Sequence, residues 1–150
     1  MNARRTSHRR YGRGFTLVEA LVALLALSIG LLGVAGLQLS GLRNNLSAAW
    51  RSQATYLAYD VIDRIRANRN ARTAYRVAYG AVPAAAGGAP VAQNDLAAWK
   101  ANLAAALPGG DGAITVNGTD DTVVTVTVRW NDQRGAGAGV QLEFVTETRL

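Results

Sequence analysis

Between Arg9 and Leu37 the chain carries one carboxylate, Glu19, placed directly before eighteen residues, 20–37, that are uncharged and of which only Ser28 is polar. A carboxylate at the edge of a bilayer core costs up to about 3 kcal/mol, so such a group marks a function with a partner nearby. Were the chain cut after Gly14, Phe15 would carry a new α-ammonium with Glu19 one helical turn along from it. The first turn of a helix also favours a negative charge. The chemistry on offer is charge pairing, weakly within one chain and more strongly between the Glu19 of one subunit and the amine of the next. A pair of that kind fixes the axial step of a helical assembly.

Catalytic chemistry is scarce. The only histidine, His8, lies in the first fourteen residues, cysteine is absent, and residues 81–150 contain no Ser, His or Tyr and one lysine, Lys100. Ser28, Ser40, Ser47 and Ser52 all fall on the stretch expected to be one long helix. No serine or cysteine nucleophile with a histidine base can be built in the C-terminal half. Asp120 and Asp121 read as turn residues, and Glu143 and Glu147 as an outward strand face. Asp111, Asn117, Asp120 and Asp121 lack the spacing of an EF-hand loop. The Gly-Ala repeat at 135–139 has no following Lys-Ser/Thr and is no phosphate loop. Neither enzyme activity nor a cofactor or metal is expected.

The net charge of +6 invites a nucleic-acid reading until it is mapped. Arg4, Arg5, Arg9, Arg10 and Arg13 all precede Phe15, and the remainder holds eleven basic against ten acidic residues. The basicity belongs to the N-terminal segment and does not argue for DNA. As a helix, residues 20–37 cover roughly 27 Å, near the hydrocarbon thickness of a bilayer. Arginines ahead of that run keep the N-terminus cytoplasmic and send the rest across the inner membrane. A secretory signal peptide competes, with Gly33-Val34-Ala35 as its small-x-small cleavage site, but it leaves Glu19 unexplained.

Gly14-Phe15-Thr16-Leu17-Val18-Glu19, after a short basic leader and before an uninterrupted apolar helix, resembles the prepilin peptidase site of type IV pilins and type II secretion pseudopilins. The resemblance implies cleavage between Gly14 and Phe15, N-methylation at Phe15, and subunit assembly through Phe15 and Glu19. The run from Leu27 to Gln38 is similar to that of PilV-type minor pilins, the type IV pilus modification proteins. Gly30, Gly33 and Gly36 in this run suit close helix packing. The family implies a non-enzymatic subunit in the inner membrane, with a periplasmic head, that is incorporated into the pilus and primes its assembly. Its implied partners are the major pilin, other minor pilins, the prepilin peptidase, the assembly platform and membrane lipid. A type II secretion minor pseudopilin and a DNA-uptake pilin are the alternatives. Many major pilins close a C-terminal loop with a disulfide, and this cysteine-free chain departs from them.

The expected organisation is a leader at 1–14, a transmembrane half-helix at 15–42 and a head at 43–150. Leu46, Trp50, Ala54, Leu57, Val61 and Ile65 recur every three or four residues, which extends the helix to near Tyr79, with Asp60/Arg64 and Asp63/Arg66 pairs supporting it. Arg66, Arg69, Arg72 and Arg76 form a basic row expected to make electrostatic contacts with acidic groups of neighbouring subunits. A loop at 81–94 precedes a short helix capped by Asn94 or Asp95, with Leu96, Trp99, Leu103 and Leu107 on one face and Pro108-Gly109-Gly110 as its stop. Strands are expected at 113–117, 122–130 and 140–150, with Val124, Val126, Val128 and Trp130 inward on the second and Val140, Leu142 and Phe144 inward on the third. The fold class is α+β: a long N-terminal transmembrane and amphipathic helix packed against a small antiparallel sheet, as in pilins.

Overall fold

The computed structural model describes residues 14–83, 90–117, 122–132 and 139–150. The basic leader, the middle of the 81–94 loop, Gly118, Asp120, Asp121 and most of the Gly-Ala repeat lie outside them. In chain order come α1 (Leu17–Ala67), a 3-10 segment (Arg69–Tyr75), α2 (Val91–Ala106), β1 (Asp111–Asn117), β2 (Val123–Asp132) and β3 (Val140–Arg149). The chain divides into two compact units, residues 1–40 and 41–150. In the first, every described residue is helical or leads into the helix, and all are exposed.

The second unit is the α+β arrangement that the apolar patterns imply. Its strands form one antiparallel sheet in the order β1-β2-β3, with Ile114 opposite Val126 and Val128 opposite Phe144. Alternation in β2 places Val124, Val126, Val128 and Trp130 on the buried face, where they meet Ile114 and Val116 of β1. The C-terminal part of α1 lies in the same core through Ala54, Leu57, Ala58, Val61, Ile62 and Ile65, and α2 adds Leu96, Trp99 and Leu103. Burial of each large apolar side chain contributes about 1.5–3 kcal/mol. Trp99 ties the layers, because its Nε1–H donates to the Leu57 carbonyl of α1 at 2.9 Å and its ring occupies the space that a Cβ on Gly112 would need.

Four expectations need correction. The helix predicted to reach Tyr79 stops at Ala67. Asn68 leaves helical geometry at φ −116°, ψ 44°, and its N–H is shared between the carbonyls of Arg64 and Ile65 at 3.1 and 3.2 Å. Asparagine is a poor helix former, and the tighter 3-10 segment delivers Tyr75, fully buried, to the core. It also lets Val77 exchange two backbone hydrogen bonds with Ile114 of β1, at 3.1 and 2.9 Å. Second, α2 starts at Val91 after Pro90, with no side-chain cap, so neither Asn94 nor Asp95 is its N-cap. Third, Leu46 is 45% exposed, so the buried stripe begins at Ser47, with Trp50 half-buried. Fourth, Val140 is 65% exposed, because it opens the edge strand β3, whereas Leu142 and Phe144 pack partly on the core. Past α2, the turn at Gly109 has φ +59°, a conformation that suits glycine.

Candidate functional site

The residues singled out for assembly sit at the first turn of α1. The Thr16 hydroxyl accepts a hydrogen bond from the Glu19 N–H at 3.3 Å, and the Thr16 carbonyl accepts one from Ala20 at 3.2 Å. Thr16 therefore caps the helix and Glu19 stands at its third residue, the Thr-x-x-Glu spacing of a capping box. That signal was present in the sequence beside the charge argument. Phe15 is 81% exposed, Glu19 is exposed, and among the described residues the Glu19 carboxylate has no ion-pair partner. It is a fixed negative charge at the positive end of a helix, open to a cation from outside.

Downstream, α1 is long and apolar enough to cross a membrane, with a mean hydropathy of 2.5 over its most apolar stretch, none of which is buried. The Ser28 hydroxyl donates to the Leu24 carbonyl at 2.8 Å, which satisfies the run's one polar side chain inside the helix. A Cβ on Gly30, Gly33 or Gly36 would meet nothing within 4 Å. The fold of a single chain therefore does not require these three glycines.

The four arginines do not share one helix, because α1 ends before Arg69. Arg66 bonds Asp63 at 2.9 Å and the Thr148 hydroxyl at 3.0 Å. Arg72 donates to the Arg69 carbonyl at 3.2 Å. Arg76 grips the Val116 carbonyl with Nε and Nη2, at 3.2 and 2.8 Å. Arg69 is exposed.

Sequence reasoning missed three polar clusters, all made between segments far apart in the chain. Asp95 accepts from the Tyr75 hydroxyl at 2.6 Å and from Arg64 at 3.3 Å; burial, then this carboxylate, pushes the Tyr75 phenol up. Ser47 donates to Asp132 at 2.8 Å in a buried contact. Asp111 is held by Lys100, by Arg129 at 3.2 Å and by the Gly80 and Gly112 N–H groups at 2.8 and 2.7 Å. Arg129 also stacks 3.9 Å over the Tyr79 ring. With two cations on it, Asp111 serves as a structural acceptor. Among the described residues no three metal-ligating side chains cluster.

Burial raises the Asp111 carboxyl, but the bonds from Lys100, Gly80 and Gly112 and the Lys100 charge outweigh it and leave the carboxyl below its ordinary value. A lowered folded-state pKa gives stability that is full above the ordinary carboxylate range and lost as pH falls through the folded value. Asp111→Asn should therefore cost about 2 kcal/mol at neutral pH. Urea titrations should find that deficit shrinking as pH falls below the ordinary carboxylate range and the wild-type carboxyl protonates.

A family model of the prokaryotic N-terminal methylation motif matches residues 9–35. The match spans the Gly14-Phe15 junction, Glu19 and the apolar helix through Ala35, and supports a type IV pilin-like or pseudopilin-like protein anchored in a membrane by α1. Proteins with this kind of N-terminus are structural subunits. No curated protein and no solved structure matches the chain.

Proposed function

We propose that this chain is a PilV-type minor pilin, which works with other minor pilins to prime type IV pilus assembly. It is inserted in the inner membrane with its N-terminus in the cytoplasm and residues 43–150 in the periplasm. The prepilin peptidase cuts after Gly14 and methylates Phe15, and the mature subunit enters the pilus beside the major pilin through the assembly platform. The observation that carries the reading is the methylation-motif match over residues 9–35, joined to a wholly exposed apolar helix that leads into an α+β head. Glu19, capped into the first helical turn, pairs with the Phe15 ammonium of a neighbouring subunit. Gly30, Gly33 and Gly36 leave room for a neighbouring helix to approach, and exposed Arg69 contacts acidic groups of adjacent heads.

Mass spectrometry of the mature protein tests the processing. The expected N-terminus is N-methylated Phe15. A chain starting at Gly36 would instead establish a cleaved signal peptide and remove the membrane helix, and an intact leader would reduce α1 to a simple anchor.

A further inference from the structure

The two edges of the sheet are treated differently. On the β1 side the chain seals its own edge: Val77 bridges to Ile114, and the Arg76 guanidinium takes the Val116 carbonyl. On the other side, among the described residues, β3 pairs only with β2. The Leu150 N–H donates to the Thr122 carbonyl at 2.9 Å, continuing the register that sets Val123 opposite Arg149. Antiparallel pairs alternate between bonded and non-bonded. The bonded partners are therefore Val124 with Thr148, Val126 with Thr146 and Val128 with Phe144, and the N–H and C=O groups of Gln141, Glu143, Val145, Glu147 and Arg149 point away from β2. This ten-residue edge has no proline, lysine or bulge; of the devices that protect exposed edges it carries outward charges, Glu143, Glu147 and Arg149.

The side chains along the edge say what would fit it. Glu143 and Glu147 stand on the solvent face, and neither has an ion-pair partner among the described residues. Leu142 and Phe144 turn to the other face, and with Arg51, Trp130 and Glu143 they line a concavity of about 310 Å³. Trp130 is 2% exposed, and its Nε1 has no acceptor among the described residues.

We propose that the outer edge of β3 is a docking site for an extended segment of a different protein, which adds to the sheet as a fourth strand. Strand addition draws its affinity from main-chain bonds and its specificity from alternate side chains. The incoming segment carries basic side chains four residues apart, opposite Glu143 and Glu147. Between them, apolar residues turn to the other face and fill the concavity beside Leu142 and Phe144. This inference rests on the head alone and does not depend on the pilin reading.

The test uses the full chain in detergent micelles and a synthetic peptide, Thr-Arg-Val-Thr-Val-Arg-Thr, read by amide hydrogen exchange. The peptide should slow exchange at Glu143, Val145 and Glu147, and a version N-methylated at alternate amides should not. Val145→Pro removes only an outward N–H, so far-UV circular dichroism should be preserved while affinity falls about tenfold through lost main-chain bonds and the clash of the ring. Glu143→Gln with Glu147→Gln should weaken binding and flatten its salt dependence. Unchanged exchange at saturating peptide, or equal binding of the N-methylated peptide, would overturn the proposal. A peptide-free chain that dimerises with the same protected amides would replace the foreign strand by a second copy.

Discussion

Glu19→Ala should be cleaved after Gly14 at close to the wild-type level, yet reach sheared pili at about one-hundredth of it. On the proposed reading, the helix-forming part of this residue and its assembly part are separable. Thr16 caps the helix through the Glu19 backbone N–H, which alanine retains, so the first turn of α1 should form as before. Insertion should not suffer either, since the substitution removes a carboxylate that costs up to about 3 kcal/mol at the bilayer edge. What is lost, on the proposed reading, is the charge that would face a neighbour's ammonium. Breaking one side of a poorly hydrated pair leaves the other uncompensated, at about 3–5 kcal/mol. Processed protein is counted in membranes and in sheared pili. Wild-type amounts of processed Glu19→Ala in pili would leave the carboxylate without an assembly role.

Trp99→Ala should be the most damaging single change in the head. The side chain is fully buried, and it joins α2 to the Leu57 carbonyl and covers Gly112. A buried tryptophan reduced to alanine costs about 3–5 kcal/mol, a large share of the 5–15 kcal/mol or so that holds a domain of this size together. Trp99→Phe keeps part of the apolar bulk but loses the outer indole atoms, Cη2 and Cζ2, that cover Gly112, and it loses the hydrogen bond for about 1 kcal/mol beyond its smaller volume. A fragment of residues 44–150, which contains the whole core cluster, is the material for urea denaturation. Its circular dichroism should show both helix and strand, and a purely helical or disordered spectrum would mean the stripe of α1 is not covered by the sheet.

The parts of this fold that sequence reading reached are those with a period. The uncharged run 20–37, the stripe from Ala54 to Ile65 and the alternation of Val124, Val126 and Val128 each repeat a pattern set by one element's geometry, so each can be read locally. The end of α1 could not be read that way. Arginine and alanine from Arg66 to Arg72 favour a helix by propensity, and it is the burial of Tyr75 and the pairing of Val77 with Ile114 that overrule them. Asn68 and Asn70 were the only local warning. Asp95 reads as a cap because the signal for a cap and the signal for a half-buried acceptor are the same residue type. Ser47 with Asp132, and Asp111 with Lys100 and Arg129, join positions 11 to 85 residues apart, and no spacing rule connects them. In the candidate site, the Gly14-Phe15 junction and Glu19 were legible because their motif is contiguous. The outer edge of β3, unpaired among the described residues, was not, since an edge exists only once strand order is known.

The order in which the chain emerges sets a constraint on how the head is made. Ser47 and Leu57 on α1 bond to Asp132 and Trp99, and the buried valines that share the core with Ala54 to Ile65 come from β1 and β2. Contacts so distant in sequence form slowly, because a long loop must close before any of them is rewarded. The apolar stripe of α1 is therefore the first part of the head to be synthesised and the last to be covered. On the proposed pilin reading, the stripe remains a sticky apolar surface until Trp130 has followed it across the membrane, and a lipid surface or a holdase shields it meanwhile.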